Sequence, residues 1–266
     1  MISDRPTQTW EWQSHEGLPY LTCSLLKPWP HGFFTQPFHP RTPEDLSKIL
    51  HPEATTYRVK QVHGHCVLSA SEILQDTSEE GFPPADGIIA NQEKQAIWVA
   101  SADCIPVLIG DEVTGNIAAI HSGWRGTAQR IVPEAIARLQ AWGSSLENLR
   151  IAMGPAISGE VYQVSEEVAG EVGASLFQKE KIDSLEGILK PLEKISDPPI
   201  LPDPEAGKLR LDVRRINQLQ LQQLGIKPEQ ISIAPYCTYQ SPSHFFSYRR
   251  THEKKVQWSG IVRVNE

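Results

Sequence analysis

Two histidines and one cysteine in this 266-residue chain each stand at the end of an apolar, β-branched run and beside a tight-turn residue: His63 in KQVHG, Cys104 in ASADC and His121 in AAIHSGW. Two imidazoles and one thiolate suit a borderline-soft ion such as zinc. Three protein ligands leave the fourth tetrahedral position to water or substrate, which describes a catalytic centre and not a structural one. A single thiolate leaves the unit net positive, so water bound there is acidified toward ~7. Spacing alone leaves open that all three are ordinary core and turn residues, because no local motif such as HExxH brings them together. It also leaves open a metal-free cysteine hydrolase or amidase, with Cys104 as nucleophile and His121 as base. Asp103 points to the opposite face of a regular strand and makes a poor orienting third member.

Arg125, flanked by small residues in HSGWRGTAQR, falls at an expected strand-to-helix junction, where its guanidinium and free backbone N–H groups favour phosphate or carboxylate. Arg249, with Arg250 after FFSY, is the second candidate for the same pocket. The pair His63 and His65, followed by Cys66, invites a copper-oxidase interpretation. A four-copper enzyme needs several such pairs, and the nine histidines supply only this one, which makes copper the less favoured metal. No HxE paired with PCxxC, the zinc-deaminase signature, is present, and a GxxxxGK[ST] loop and a GxSxG elbow are also missing.

The elements that must position these groups are β-rich. Short apolar runs from Tyr57, namely YRVKQVHG, HCVLSA, GIIAN, AIWVASADCIPVLIGD and NIAAIHSGW, read as core strands, as does NLRIAMGPAI. Ile131, Ala135, Ile136, Leu139 and Trp142 have helical spacing, with Gly143 at the stop and Pro133 marking the first turn or a kink. Two further helices are expected, one capped by Ser165 and one running from Asp212 to Gly225. ISIAPYC, FFSYRR and WSGIVRV read as closing strands. Residues 1–45 look like edge strands and turns, the least regular part. The proline-rich residues 179–208 read as a surface excursion. Strands and helices without strict alternation favour an α+β fold in a single domain spanning 1–266.

Acidic side chains (32) outnumber basic ones (25), giving a net charge of −7, so no overall positive field exists to hold nucleic acid or an anionic membrane. No run approaches the roughly 18 apolar residues of a membrane span, and the start lacks a signal peptide, which leads us to expect a cytoplasmic protein. Cys23, Cys66 and Cys237 read, with Cys104, as free thiols, because four widely spaced cysteines form no disulfide framework.

Taken in order, KQVHG, ADGIIAN, ADCIPVLIGD, AAIHSGWRGT, MGPAI, LDVRRINQLQLQQLGI, CTY and FFSYRR resemble the blocks of the YfiH-type family, or peptidoglycan editing factors, once called multicopper polyphenol oxidases (laccases). The resemblance covers nearly the whole chain. It implies a mixed β-sandwich layered with helices and a metal held by His63, Cys104 and His121. It further implies zinc-dependent phosphorolysis of purine nucleosides, including methylthioadenosine, deamination of adenosine, and a part in editing peptidoglycan precursors. The chain departs from the family pattern at Gln36, where an arginine is usual, at Glu160 and Val161 before Tyr162, and at THEKKVQW after the arginine pair. These departures motivate a further alternative, a non-catalytic metal-binding partner protein.

Overall fold

Strands that are apolar on both faces must be covered on both sides, and two such strands lie at the centre of this molecule. The structure, a computed structural model, describes residues 9–75, 81–177 and 184–264. β8 (Ile105–Asp111) and β9 (Ile117–Ser122) are buried along their whole length and pair antiparallel, with Pro106 opposite His121. They centre a six-stranded sheet of order β14 (Ile231–Ile233), β10 (Leu149–Met153), β8, β9, β6 (Gly87–Ala90) and β5 (Val67–Ser69). A second six-stranded sheet has the order β1 (Trp10–His15), β2 (Leu18–Cys23), β3 (His31–Phe34), β15 (Gln257–Val262), β7 (Gln95–Ser101) and β4 (Thr55–Tyr57).

Alternation along β8 and β9 decides which residues face which layer. Leu108, Ile117 and Ala119 point into the interior between the sheets, where they meet Leu21, Phe33, Ile97, Val99 and Ile261. Ile105, Val107, Ile109 and Ile120 point the other way, against the helical layer of α4 (Ile131–Ala141), α5 (Glu166–Ala174) and α7 (Val213–Gln223). That layer also carries a three-stranded sheet of order β11 (Gln163–Ser165), β13 (Lys208–Leu211) and β12 (Ile200–Pro202). On the outer face of the second sheet, Phe34, Trp98 and Val262 are covered by α1 (Pro43–Leu50) through Leu46. The fold is thus α+β, a mixed sandwich layered with helices. Among the described residues no helix is long and apolar enough to cross a membrane.

The expected helices stand where periodicity put them. Ile131, Ala135, Ile136 and Leu139 are buried, and Pro133 lies in the first turn of α4, where its missing N–H costs nothing. Ser165 caps α5 by accepting from Val168, Asp212 caps α7 by accepting from the backbone of Arg214 and Arg215, and Gly225 follows α7 at φ +97°.

Four expectations need correction. Residues 179–208 are not merely an excursion: α6 (Leu185–Glu193) buries Leu189 and Leu192, and β12 buries Ile200, all in the helical-layer core. Pro191 lies inside α6, two residues from its end, where the helix forgoes one hydrogen bond, and the other prolines fall in turns and on the edge strand β12. Part of that stretch, 179–183, lies outside the described residues. Residues 9–45 are more regular than expected, since β3 is an interior strand, and residues 1–8 lie outside the described residues. FFSYRR is a turn into the short helix α8 (Tyr248–Thr251), capped by Ser247, because the Arg250 guanidinium draws the carbonyls of Thr238, Tyr239 and Phe245 around itself. YRVKQVHG is a strand only to Tyr57. Beyond it, side chains take the place of a β-ladder: Gln61 exchanges two hydrogen bonds with the Ala100 backbone, and Asp86 takes the N–H groups of residues 62–64. Two remaining helices, α2 (Ala70–Gln75) and α3 (Trp124–Ala128), flank this region.

Candidate metal centre

His63, Cys104 and His121, separated by up to 58 residues in sequence, converge at one end of β8 and β9. Each offers one ligand atom, and these atoms all lie within 4.8 Å of one another. Metal bonds of about 2.0–2.3 Å to nitrogen and sulfur need ligand atoms no more than about 4 Å apart, so small side-chain rotations suffice. The two rings stand edge to face with centroids 4.9 Å apart. His121 is buried, Cys104 half-buried and His63 exposed, so the cluster has a closed side within the fold and an open one.

Local backbone explains the approach. His63 and Asp103 hold positive φ values of 60° and 93°, uncommon for residues with side chains and typical of over-determined sites. Gly123 is required by contact: a Cβ there would lie 2.9 Å from the Cys104 sulfur. Gly126 is required likewise, since a Cβ would lie 2.9 Å from the Gly64 carbonyl oxygen, beside the loop that carries His63.

Asp86, fully buried, is the residue that sequence reasoning missed. Its carboxylate accepts from His121 Nδ1 at 2.8 Å, from the N–H of His63 at 3.0 Å and from that of Gly64 at 2.7 Å. One anion therefore sets both the loop of the first histidine and the ring of the second. Because Nδ1 donates to it, His121 Nε2 is left free as a ligand atom. Burial pushes the Asp86 carboxyl up, but the bonds from His121 and Gly64 outweigh it and hold the group below the usual range. The available signal was an acidic residue directly before the apolar run GIIA, as in the ADC block.

The Cys104 thiol and the His121 ring shift each other in opposite directions. Burial raises the Cys104 thiol, yet the charge of His121 and hydrogen bonds from both histidines bring it down to about 6. His121 is raised to about 9, against burial, by the Cys104 thiolate and by Asp86. A thiolate at neutral pH is the form that ligates metal.

Asp103 does not face His121. It accepts from Thr238 Oγ1 and from the Arg249 N–H, both at 2.7 Å, tying the Cys104 turn to the CTY and YRR blocks. A small cavity of about 30 Å³ opens on Cys104 between Trp124, Ile157, Tyr162 and Val213. Two guanidiniums border these rings: Arg125 is exposed and stacks on Trp124 at 4.3 Å, and Arg249 is half-buried and stacks on Tyr162 at 4.8 Å. The expected helix start at Arg125 is only the five-residue α3, too short to add an anion site of its own. Arg250 is spent on backbone carbonyls. Gln36 anchors its turn to the Pro242 carbonyl and does not line this cavity.

Fold and site together define a class: an α+β sandwich with a His–Cys–His cluster at the end of its central strands. The chain belongs to the family described as multi-copper polyphenol oxidoreductase laccase, the YfiH-type family, whose model matches residues 44–263. It is 56% identical, over 95% of its length and 97% of the relative's, to a purine nucleoside phosphorylase of Synechocystis sp.. A purine nucleoside phosphorylase of Bacteroides thetaiotaomicron is 32% identical over 83% of this chain and 74% of its own. An adenosine deaminase of an unknown prokaryote is 26% identical over 66% and 60%. YlmD from Geobacillus stearothermophilus shares the fold, with a TM-score of 0.76 at 21% identity over 97% of this chain and all of that one.

Proposed function

We propose that this chain is a zinc-dependent purine nucleoside phosphorylase, with adenosine deamination and methylthioadenosine phosphorolysis as further reactions of one site. The convergence of His63, Cys104 and His121 beside Arg125 and Arg249 carries the reading. The full-length kinship to a purine nucleoside phosphorylase supports it. One mononuclear cluster of this kind is found among the described residues, which favours zinc over the copper of the family's description. A part in peptidoglycan-precursor editing rests on family resemblance alone.

His63, Cys104 and His121 would hold the ion, and a bound zinc supplies a Lewis-acidic positive charge beside the cavity. Asp86 keeps a proton on His121 Nδ1 and so keeps Nε2 turned to the cluster. The nucleoside lies across the open side, because the cavity is too small to enclose it. Arg125 and Arg249 bind and orient phosphate. A phosphate oxygen then bonds to C1′ as the C1′–N9 bond breaks, its electron pair leaving with the base. In deamination, water adds its oxygen to C6 of adenine and the amino group leaves as ammonia.

Protein purified without added metal should carry about one zinc per chain and release base from inosine only when phosphate is present. His63→Ala and Cys104→Ala should lose both properties. Less than about a tenth of an equivalent of zinc in the native protein, with no phosphate-dependent release, overturns the proposal.

One observation favours a second reading. Asp86, His121 and Cys104 form a carboxylate–imidazole–thiolate chain of the kind that activates a metal-free cysteine hydrolase. His63 has no task in that mechanism. Iodoacetamide labelling separates the two: protection of Cys104 that disappears on chelation favours the metal, and equal labelling favours the hydrolase.

A further inference from the structure

Tyr162 lines the cavity that opens on Cys104. Its backbone is tied on both sides, its N–H donating to the Ser158 carbonyl at 3.1 Å and its carbonyl accepting from Leu211 at 3.0 Å. The Arg249 guanidinium covers its ring at 4.8 Å and is itself fixed through Nη1 to the Gln163 carbonyl at 2.7 Å. The phenol hydroxyl, by contrast, makes no hydrogen bond to any described residue. It lies in the fields of Cys104, Arg249, Asp103 and Arg125, which meet around it. Burial, reinforced by the Cys104 charge, pushes this phenol up to about 12, so it remains a donor across the working range.

The charge around it is unusual for a protein of net charge −7. Arg138, Arg150, Arg210 and Arg214 face carboxylates, and Arg130 and Arg250 donate to backbone carbonyls. Among the described residues neither the Arg125 nor the Arg249 guanidinium does. A donor without a protein partner, in the field of two guanidiniums that face no carboxylate and beside a cavity, matches an oxyanion and matches a neutral water poorly.

We infer that Tyr162 is a substrate-contacting, specificity-determining residue: its hydroxyl, positioned by Arg249, donates a hydrogen bond to inorganic phosphate and so favours phosphate over water as the attacking group. This inference rests on the nucleoside reading for its biological meaning but not for its test. A ring that only filled space would be served equally by phenylalanine.

The experiment compares zinc-loaded wild-type protein with Tyr162→Phe and Arg249→Met. Calorimetry gives the Kd for inorganic phosphate, and kinetics give the KM for phosphate and the ratio of adenosine phosphorolysis to deamination. Loss of one charge-assisted hydrogen bond should raise Kd and KM for phosphate about tenfold in Tyr162→Phe. Phosphorolysis should fall more than deamination, with zinc content and Tm held. Arg249→Met should weaken phosphate at least as much. Unchanged phosphate affinity in Tyr162→Phe overturns the inference, as does wild-type protein that binds no phosphate at millimolar concentration. If wild-type protein binds phosphate but turns over no nucleoside, the proposed function fails, and the calorimetric arm still decides the role of Tyr162.

Discussion

His121 and His63 owe their mutual placement to a carboxylate that neither of them adjoins in sequence. Asp86 joins the two through four hydrogen bonds, three to the 62–64 backbone and one to the His121 ring. Replacing it by asparagine keeps the volume but presents an amide donor to donors. Asp86→Asn should weaken zinc binding by about 10–100-fold, measured by competition with a chromophoric chelator. Zinc affinity within a factor of two of wild type would contradict the assigned role. Gly123→Ala should have a comparable effect, because its methyl group would enter the space of the Cys104 sulfur. At this scale the chemistry of the cluster was readable from residue types at strand ends, whereas Asp86 was not: nothing local distinguishes its carboxylate from that of Asp103, which serves a different partner. Three-dimensional pairing alone separates them.

At the scale of elements, the site depends on how strands and helices are tied at their ends. α7 holds α3 through buried amides: Asn217 bonds Ser122 and Thr127, and Gln220 bonds the Thr127 carbonyl. Asn217→Ala leaves these groups short of a partner and should cost about 1–3 kcal/mol, read by urea unfolding. Between β2 and β3, His31 is buried and neutral. Its Nε2 accepts from the Cys23 N–H and its Nδ1 donates to the Trp29 carbonyl, both at 2.8 Å, so a second ring proton would oppose the Cys23 N–H. Burial lowers its pKa from the ordinary 6.5 to about 4. The folded value lies below the unfolded one, and therefore this contribution is whole above pH 6.5 and is lost as pH falls toward 4. The loss should approach about 3 kcal/mol. His31→Gln should flatten the stability profile in that window, and an unchanged slope would show that the ring is not held neutral. Helix positions were legible because capping and 3.6-residue periodicity are local. The 57–64 loop was misread because Gln61 and Asp86 replace a β-ladder with side-chain bonds that no alternation pattern records.

For the whole molecule, the centre is where separate layers meet. Leu108 lies in the interior between the sheets, completely buried. Leu108→Ala should cost about 2–5 kcal/mol, the range for cavities in rigid cores. Metal should couple to global stability as well, since its ligands come from a loop, a strand connection and a strand. Zinc at about a hundredfold excess over its Kd should add about 2.7 kcal/mol, seen as a lower Tm after chelation and absent in His63→Ala. By itself the sequence determined the α+β class, the helix caps, the apolar strands that centre the sandwich and the identity of the three metal-ligand candidates. These follow from composition and short-range pattern, which act along the chain. Only the tertiary structure decided that the three ligand atoms lie within 4.8 Å of one another, that Asp86 orients their side chains, and that Tyr162 lines the cavity with the Arg249 guanidinium on its ring while Arg250 is spent on backbone carbonyls. Each of those facts depends on which strands pair and in what register, a choice made by burial of whole faces and not by any segment alone.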